Sequence, residues 1–110
     1  MTRINLYKNK DGRIVKFIVD GHTDFAEIGS DILCAAVSTA ATMTLNGILE
    51  VANVKVGYEV RDAFIECILP DDLNKSEQEK CELLINSMLL ALNDLKEQYE
   101  KHITITVLEV

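Results

Sequence analysis

The sequence lacks the motifs on which several large classes of protein depend. Its three cysteines include no CxxC pair, so a zinc site would need ligands from well-separated parts of the chain. It contains no glycine-rich phosphate loop and no G-x-S-x-G motif. Because eighteen acidic residues outnumber eleven basic ones, for a net charge of -7, a nucleic-acid-binding surface is also unsupported. The sequence therefore predicts no metal, no cofactor and no direct contact with nucleic acid.

A secretion signal and a membrane span are also missing from the pattern. The chain starts MTRINLYKN, without a basic segment leading into an apolar run. The longest apolar stretch, residues 32–49, is interrupted by Ser, Thr and Asn, which favours a buried helix over a membrane helix. Unpaired cysteines without a secretion signal are typical of free thiols in a reducing compartment. We therefore expect a cytoplasmic protein that does not contact a membrane.

What is present fits one small globular domain. The chain has 110 residues, of which 48% are hydrophobic and 26% are charged, enough for one modest core and too few for two. We therefore assign residues 1–110 to a single domain. Its acidic balance makes a basic peptide the more natural electrostatic partner.

Five strands are predicted from β-branched and aromatic runs bounded by turn residues. The predicted strands cover about residues 2–8, 13–20, 54–60, 63–69 and 103–110. The first two are joined by a turn that contains Asp11-Gly12, and the next two by a tight turn at Arg61-Asp62. With two helices between the hairpins and the last strand, the order is ββαββαβ. This order predicts an α+β fold in which two helices pack on a mostly antiparallel sheet.

The two predicted helices differ in how much of their surface is apolar. The first covers about residues 31–49, and either Ser30 or Asp31 caps its N-terminus. Because apolar side chains surround this helix, the sheet must cover one side and a second helix or a second subunit another. The second helix is predicted to begin at a capping box of Ser76 and Glu79 and to have one apolar face.

Cys34 and His22 form the candidate site for chemistry. Cys34 falls in the first turn of the first helix, where unpaired N–H groups and the helix dipole favour a thiolate and could stabilise an oxyanion. His22 follows Gly21 at a predicted strand end, and the loop to Ser30 is long enough to fold back. Cys34 could then act as nucleophile and His22 as general acid and base. Alternatively, Cys34 is a small buried residue of an alanine-rich helix and His22 an ordinary loop residue.

Two neighbours of Cys34 are possible supporting residues. Asp31 admits three interpretations: it caps the helix, it orients His22 as the third member of a triad, or it disfavours the thiolate by like-charge repulsion. Ser38, one turn after Cys34, either donates a hydrogen bond near the site or bonds back to its own helix. The other thiols and the second histidine are interpreted as structural: Cys67 and Cys81 in the core, and His102 near the surface.

The loop and helix together resemble a known family. Gly-His at 21–22, Gly29 and the run DILCAAVS at 31–38 are similar to the ribosomal-processing cysteine proteases of Firmicutes and related bacteria. The resemblance implies a protease that removes the N-terminal extension of large-subunit ribosomal protein 27, cutting after an aromatic pair and before a small residue. It also implies a homodimer, Cys34 and His22 as catalytic pair, and a mobile substrate loop. That loop comprises Thr23, Asp24, Phe25, Ala26, Glu27, Ile28, Gly29 and Ser30.

Three hypotheses for function follow, and the first is a cysteine endopeptidase that acts in ribosome maturation. The second is a non-enzymatic dimeric module that binds ribosomal or assembly proteins, with Cys34 as a packing residue. The third is a redox-sensing thiol protein, for which the sequence offers no resolving CxxC partner. Native alkylation of Cys34 separates the first two, because a buried packing thiol would resist it.

Overall fold

The computed structural model has the element order that the sequence predicts. It describes residues 1–23, 26 and 31–110. The strands are β1 (Thr2–Lys8), β2 (Ile14–Asp20), β3 (Gly57–Arg61), β4 (Phe64–Ile68) and β5 (Ile103–Glu109). The helices are α1 (Ile32–Asn46), which continues as a π-helical segment over Gly47–Val51, and α2 (Lys75–Gln98). The ββαββαβ order is thereby confirmed.

The described strands form one sheet in the order β3-β4-β2-β1-β5. All neighbours are antiparallel except β1 and β5, which are parallel, so the prediction of a mostly antiparallel sheet is confirmed. The β3–β4 turn lies at Asp62-Ala63, one residue later than the sequence analysis placed it. This shift matters for the site, because β4 pairs with β2 and brings the turn beside the end of β2.

The core lies between one face of the sheet and the two helices. Side chains alternate along the strands, so that Ile4 and Leu6 of β1 are fully buried while their neighbours Arg3 and Asn5 are not. Phe17 of β2 is the largest fully buried side chain among the described residues. The helices contribute buried residues at helical spacing: Leu33, Val37, Ala41 and Leu45 from α1, and Cys81, Ile85, Met88 and Leu92 from α2.

The described residues cover only one side of α1. Ile32 is 71% exposed and Met43 is 66% exposed, and Val51 of the π-helical segment is 80% exposed. The span Ile32–Val51 is long and apolar enough to cross a membrane by length and composition alone. Because Leu33 and Val37 are buried against the sheet layer, it is interpreted as the core helix of a layered fold.

The predicted capping box of α2 was wrong. Asn74, not Ser76, is the N-cap: its Oδ1 accepts the N–H of Glu77 at 2.8 Å, and Glu77 Oε1 accepts the N–H of Asn74 at 3.0 Å. Asparagine caps a helix as well as serine does. Asn74 comes two residues earlier than Ser76 and has Glu77 at the third helical position. It therefore serves as the N-cap, and the helix begins directly after it.

Candidate active site

His22 is positioned by the strand end that precedes it. Gly21 has φ +95°, a conformation that turns the chain away from β2 and that favours glycine. Its N–H donates to the carbonyl of Ala63 at 2.8 Å, and its own carbonyl accepts the hydroxyl of Thr2 at 2.8 Å. The backbone that leads into His22 is therefore held on both sides, by β1 and by the β3–β4 turn.

Cys34 lies in the first turn of α1, as predicted. Asp31 is the N-cap, and its Oδ1 accepts the N–H of Cys34 at 2.9 Å. The helix-capping interpretation of Asp31 is thus confirmed. The Cys34 side chain is half-buried, which leaves its sulfur accessible at the positive end of the helix.

The structure brings His22 and Cys34 together. The Sγ atom of Cys34 lies 3.9 Å from Nδ1 of His22, within reach for a contact that involves sulfur. On the other side of the ring, Nε2 of His22 lies 3.6 Å from Oδ2 of Asp62. The imidazole thus has a thiol at one nitrogen and a carboxylate at the other, which suits a ring that exchanges a proton with the sulfur.

A second set of hydrogen bonds fixes the ends of the loop between His22 and α1. Thr23 is fully buried, and its hydroxyl donates to Oδ2 of Asp31. The ring Nδ1 of His102 lies 2.9 Å from the carbonyl oxygen of Thr23, to which it donates. Asp31 therefore ties the loop entrance to the helix start, and His102 ties it to the end of the chain just before β5.

The three cysteines differ in exposure, and Cys34 alone reaches solvent. Cys67 and Cys81 are both 0% exposed, which confirms their interpretation as core residues. Burial, with the Cys81 thiol nearby as a smaller cause, raises the pKa of Cys67 to about 12. Burial also raises the pKa of Cys81, with smaller effects from Glu77 and Glu82. Neither thiol is suited to act as a thiolate nucleophile near neutral pH.

A cavity of about 210 Å³ opens beside the sulfur of Cys34. It lies between the first turns of α1 and the β3–β4 hairpin, and Ser38, Val60 and Phe64 are among its walls. Ser38 is exposed on the same side of the helix as Cys34. A larger concavity of about 710 Å³ lies between α1 and α2, but the Cys34–His22 pair is not part of it.

The predicted substrate loop falls largely outside the described residues. Of its members, Thr23 is buried and Ala26 is exposed. The others, which are Asp24, Phe25, Glu27, Ile28, Gly29 and Ser30, lie outside the part of the chain that the structure describes. Among the described residues, no three metal-ligating side chains form a cluster that could hold a metal ion.

Two residues of the site were missed by the sequence analysis. Asp62 was treated only as a turn residue, and His102 only as a surface residue. The contact of Asp62 with His22 depends on the pairing of β4 with β2, and no local pattern specifies that pairing. His102 precedes β5, whose parallel pairing with β1 places it near the loop. A prediction of strand order would have found both.

A thiol at a helix start with an imidazole beside it defines a site of the cysteine-protease type. The comparison with protein families agrees: residues 1–104 match the family Cysteine protease Prp, and the chain belongs to that family. The ribosomal processing cysteine protease Prp of Bacillus subtilis is 24% identical over 108 residues, covering 96% of each chain. That of Staphylococcus aureus Mu50 is 28% identical over 105 residues, covering 94% of this chain and 95% of the relative.

Solved structures have the same fold. The S. aureus protease with a covalently linked product peptide superposes with a TM-score of 0.81 at 25% identity, covering 97% of this chain and 99% of that one. A Streptococcus mutans protein gives 0.78 at 26% identity, covering 100% and 96%. The chain is therefore a ribosomal processing cysteine protease, a hydrolase, and the hypothesis of a non-enzymatic module gives way to it.

Proposed function

We propose that this single-domain protein is a cytoplasmic endopeptidase that removes the N-terminal extension of large-subunit ribosomal protein 27. The cut falls after an aromatic pair and before a small residue. Cys34 is the nucleophile and His22 the general acid and base. The observation that carries the proposal is the 3.9 Å approach of Cys34 Sγ to His22 Nδ1 at the start of α1.

The reaction follows from these two side chains. His22 takes the thiol proton, and the Cys34 thiolate adds to the scissile carbonyl carbon to form a tetrahedral intermediate. The imidazolium then gives its proton to the amide nitrogen, the C–N bond breaks, and the amine leaves a thioester behind. Water adds to the thioester with His22 as base, which releases the carboxylate product and restores the thiol.

The helix start offers electrostatic stabilisation for the tetrahedral intermediate. The N–H groups of the first turn of α1 and the helix dipole present positive charge near the sulfur. In this structure the N–H of Cys34 donates to Asp31. It would have to leave that carboxylate before it could donate to an oxyanion, so substrate binding and the Asp31 cap compete for one donor.

The substrate peptide is proposed to lie in the 210 Å³ cavity beside Cys34. Its lining combines apolar side chains such as Val60 and Phe64 with polar and charged ones such as Arg61 and Asp62, which suits a peptide that offers both apolar side chains and backbone hydrogen-bonding groups. The net charge of -7 favours basic residues elsewhere in the substrate, as a ribosomal protein provides. Ser38, on the same cavity wall as Cys34, is a candidate donor to the bound peptide.

The protein is further proposed to work as a homodimer. The concavity of about 710 Å³ between α1 and α2 has a single charged lining residue, Glu50, beside Met43, Val51 and Leu84. A second copy of the same surface would cover the exposed side of α1 that the sequence analysis expected to be covered. The interface would border the cavity at Cys34, because Ser38 and Thr42 line both concavities.

The experiment incubates wild type, Cys34→Ala and His22→Ala with a peptide that spans the extension junction, and locates any cut by mass spectrometry. Cleavage of one bond by wild type and by neither variant is the expected result. Cys67→Ala is the matched control, because it also removes one thiol but from the core, and it should cleave at the same bond.

The opposite outcomes are equally definite. Full activity of Cys34→Ala would refute the role of Cys34 as the nucleophile. Cleavage at a different bond by wild type would refute the substrate register and leave the catalytic pair in place. In addition, iodoacetamide should alkylate native Cys34 rapidly, since it is the accessible thiol.

A further inference from the structure

The contact that the reaction leaves unexplained is the one between His22 and Asp62. Nδ1 of the imidazole faces the Cys34 sulfur at 3.9 Å, and Nε2 faces the Asp62 carboxylate at 3.6 Å. A neutral imidazole carries its proton on one nitrogen only. If Nε2 holds that proton toward a carboxylate, Nδ1 is left with the lone pair that must accept the thiol proton.

The fold places Asp62 at this nitrogen through backbone contacts. Asp62 and Ala63 form the two-residue turn between β3 and β4. The carbonyl of Ala63 accepts the N–H of Gly21 at 2.8 Å, and Gly21 directly precedes His22. Donor and acceptor of the side-chain contact are thus each one residue away from the same backbone hydrogen bond, which holds their relative position.

The contact of the Asp62 side chain with His22 is not explained by a contribution to folding stability. The side chain is 94% exposed, and an ion pair at such a surface position contributes little to stability. The neighbouring cation is engaged elsewhere: Arg61 Nε lies 2.7 Å from Glu59 Oε2, and its guanidinium stacks 3.8 Å above the Phe64 ring. A peptide bound across the cavity would shield the His22–Asp62 contact from water and strengthen it.

Asp31, the carboxylate that the sequence suggested as a third catalytic group, has a different task. Its two oxygens accept the Cys34 N–H and the Thr23 hydroxyl. Asp62 is the carboxylate found at the imidazole, on the nitrogen opposite the sulfur. Orientation of His22, which was one of three interpretations of Asp31, would then be carried out by a residue 31 positions further along the chain, on another element.

We propose that Asp62 is a positioning residue for the cleavage reaction. Its carboxylate accepts the Nε2–H of His22, holds the ring with Nδ1 toward Cys34, and stabilises the imidazolium that forms when the thiol loses its proton. This inference rests on the proposed function, because it assumes that Cys34 and His22 carry the reaction. Asp62 itself does not touch the reacting atoms.

The test compares steady-state cleavage of the junction peptide by wild type, Asp62→Ala and Asp62→Asn. Asp62→Ala should lower kcat about tenfold or more with little change in KM, since the ring is misdirected while the peptide site is intact. Asp62→Asn should recover only part of the rate, because its amide oxygen can accept the Nε2–H but it lacks the charge that stabilises the imidazolium. Asp72→Ala is the matched control: it removes the same charge from an exposed loop at the opposite end of β4 and should cleave like wild type.

A spectroscopic measurement separates positioning from general damage. The ¹⁵N shifts of His22 in histidine-labelled protein report which nitrogen carries the proton. Wild type and Asp62→Asn should favour the Nε2–H tautomer, and Asp62→Ala should show a more even mixture. Unchanged melting temperatures are expected for all three proteins, because the Asp62 side chain makes no buried contact.

The outcomes distinguish the two proposals. Wild-type kcat in Asp62→Ala, with His22→Ala inactive, overturns the role of Asp62 and leaves the proposed function in place. An Asp62→Asn protein as slow as Asp62→Ala also overturns it, since the hydrogen bond would not be what matters. Full cleavage by His22→Ala overturns the proposed function itself.

Discussion

Gly21 shows how one residue decides where the imidazole of His22 lies. A Cβ added at Gly21 would stand 2.5 Å from the carbonyl oxygen of Met1, which is backbone and cannot rotate away. The same residue has a positive φ and bonds to β1 and to the β3–β4 turn. The close approach of the chain start, the β3–β4 turn and His22 is therefore possible only with glycine at this position.

Gly21→Ala should destabilise the protein by at least about 2 kcal/mol, from left-handed strain together with the clash, and should abolish peptide cleavage. Gly12→Ala is the matched control, because Gly12 has φ +77° and nothing within 4 Å of an added Cβ. It should cost about 1 kcal/mol and leave kcat unchanged. Urea unfolding and peptide cleavage measure both. Equal losses in the two variants would show that the contact with Met1 does not matter.

The buried thiol of Cys67 makes stability depend on alkaline pH. Its pKa is raised from 9.0 to about 12 in the folded protein, so above about pH 9 the unfolded chain loses this proton while the folded chain keeps it. The free energy of unfolding then falls as pH rises, by up to about 1.4 kcal/mol per pH unit for this group. Below pH 9 both states are protonated, and the thiol contributes no pH dependence.

Cys67→Ala should therefore lose less stability than wild type between pH 8 and pH 10, by about 1.4 kcal/mol. Urea unfolding at the two pH values measures it, and lysines and tyrosines that titrate in both proteins cancel in the comparison. Parallel pH dependence in the two proteins would contradict the burial of this thiol. The variant will be less stable at pH 8 because of the cavity it leaves, which does not affect the difference.

At the scale of elements, α1 shows which part of the site a sequence can predict. The placement of Cys34 in a first turn and the cap at Asp31 both follow from local pattern, and the structure agrees with both. The start of α2 could not be predicted from local pattern, because Asn74 and Ser76 are both good N-caps and only the structure shows which one is used. Asp62 and His102 were beyond local pattern, since each enters the site through strand pairing.

Asp31 both caps α1 and accepts the hydroxyl of Thr23, and two substitutions separate these contributions to stability. Asp31→Ala removes the cap of α1 and leaves the buried Thr23 hydroxyl without its acceptor, so it should cost about 2 kcal/mol. Asp31→Asn keeps an oxygen for the Cys34 N–H and should cost less than half as much. Thermal and urea unfolding measure both variants. If asparagine and alanine destabilised the protein equally, the charge of Asp31, and not its capping geometry, would be what the helix needs.

At the scale of the whole molecule, the outer side of α1 presents a large apolar surface that the other described residues do not cover. The sheet covers the inner side of α1, and α2 packs against part of it. The outer side carries Met43 and Val51, each more than half exposed. Contiguous apolar surface of this kind on a small protein marks an interface, and the proposed homodimer buries it against an identical surface around a two-fold axis.

Met43→Lys should convert a dimer to a monomer, because in the two-fold interface each copy would bury a charge against the apolar groove of the other. Val107→Lys is the matched control: Val107 is 53% exposed but lies on β5, at the far edge of the sheet, and should leave the dimer intact. Analytical ultracentrifugation over a range of concentrations measures the mass of each. A monomeric wild type at high concentration would refute the dimer, and a Met43→Lys dimer would place the interface on another face. Because the Cys34–His22 pair lies outside the groove, the monomeric variant should still cleave the junction peptide.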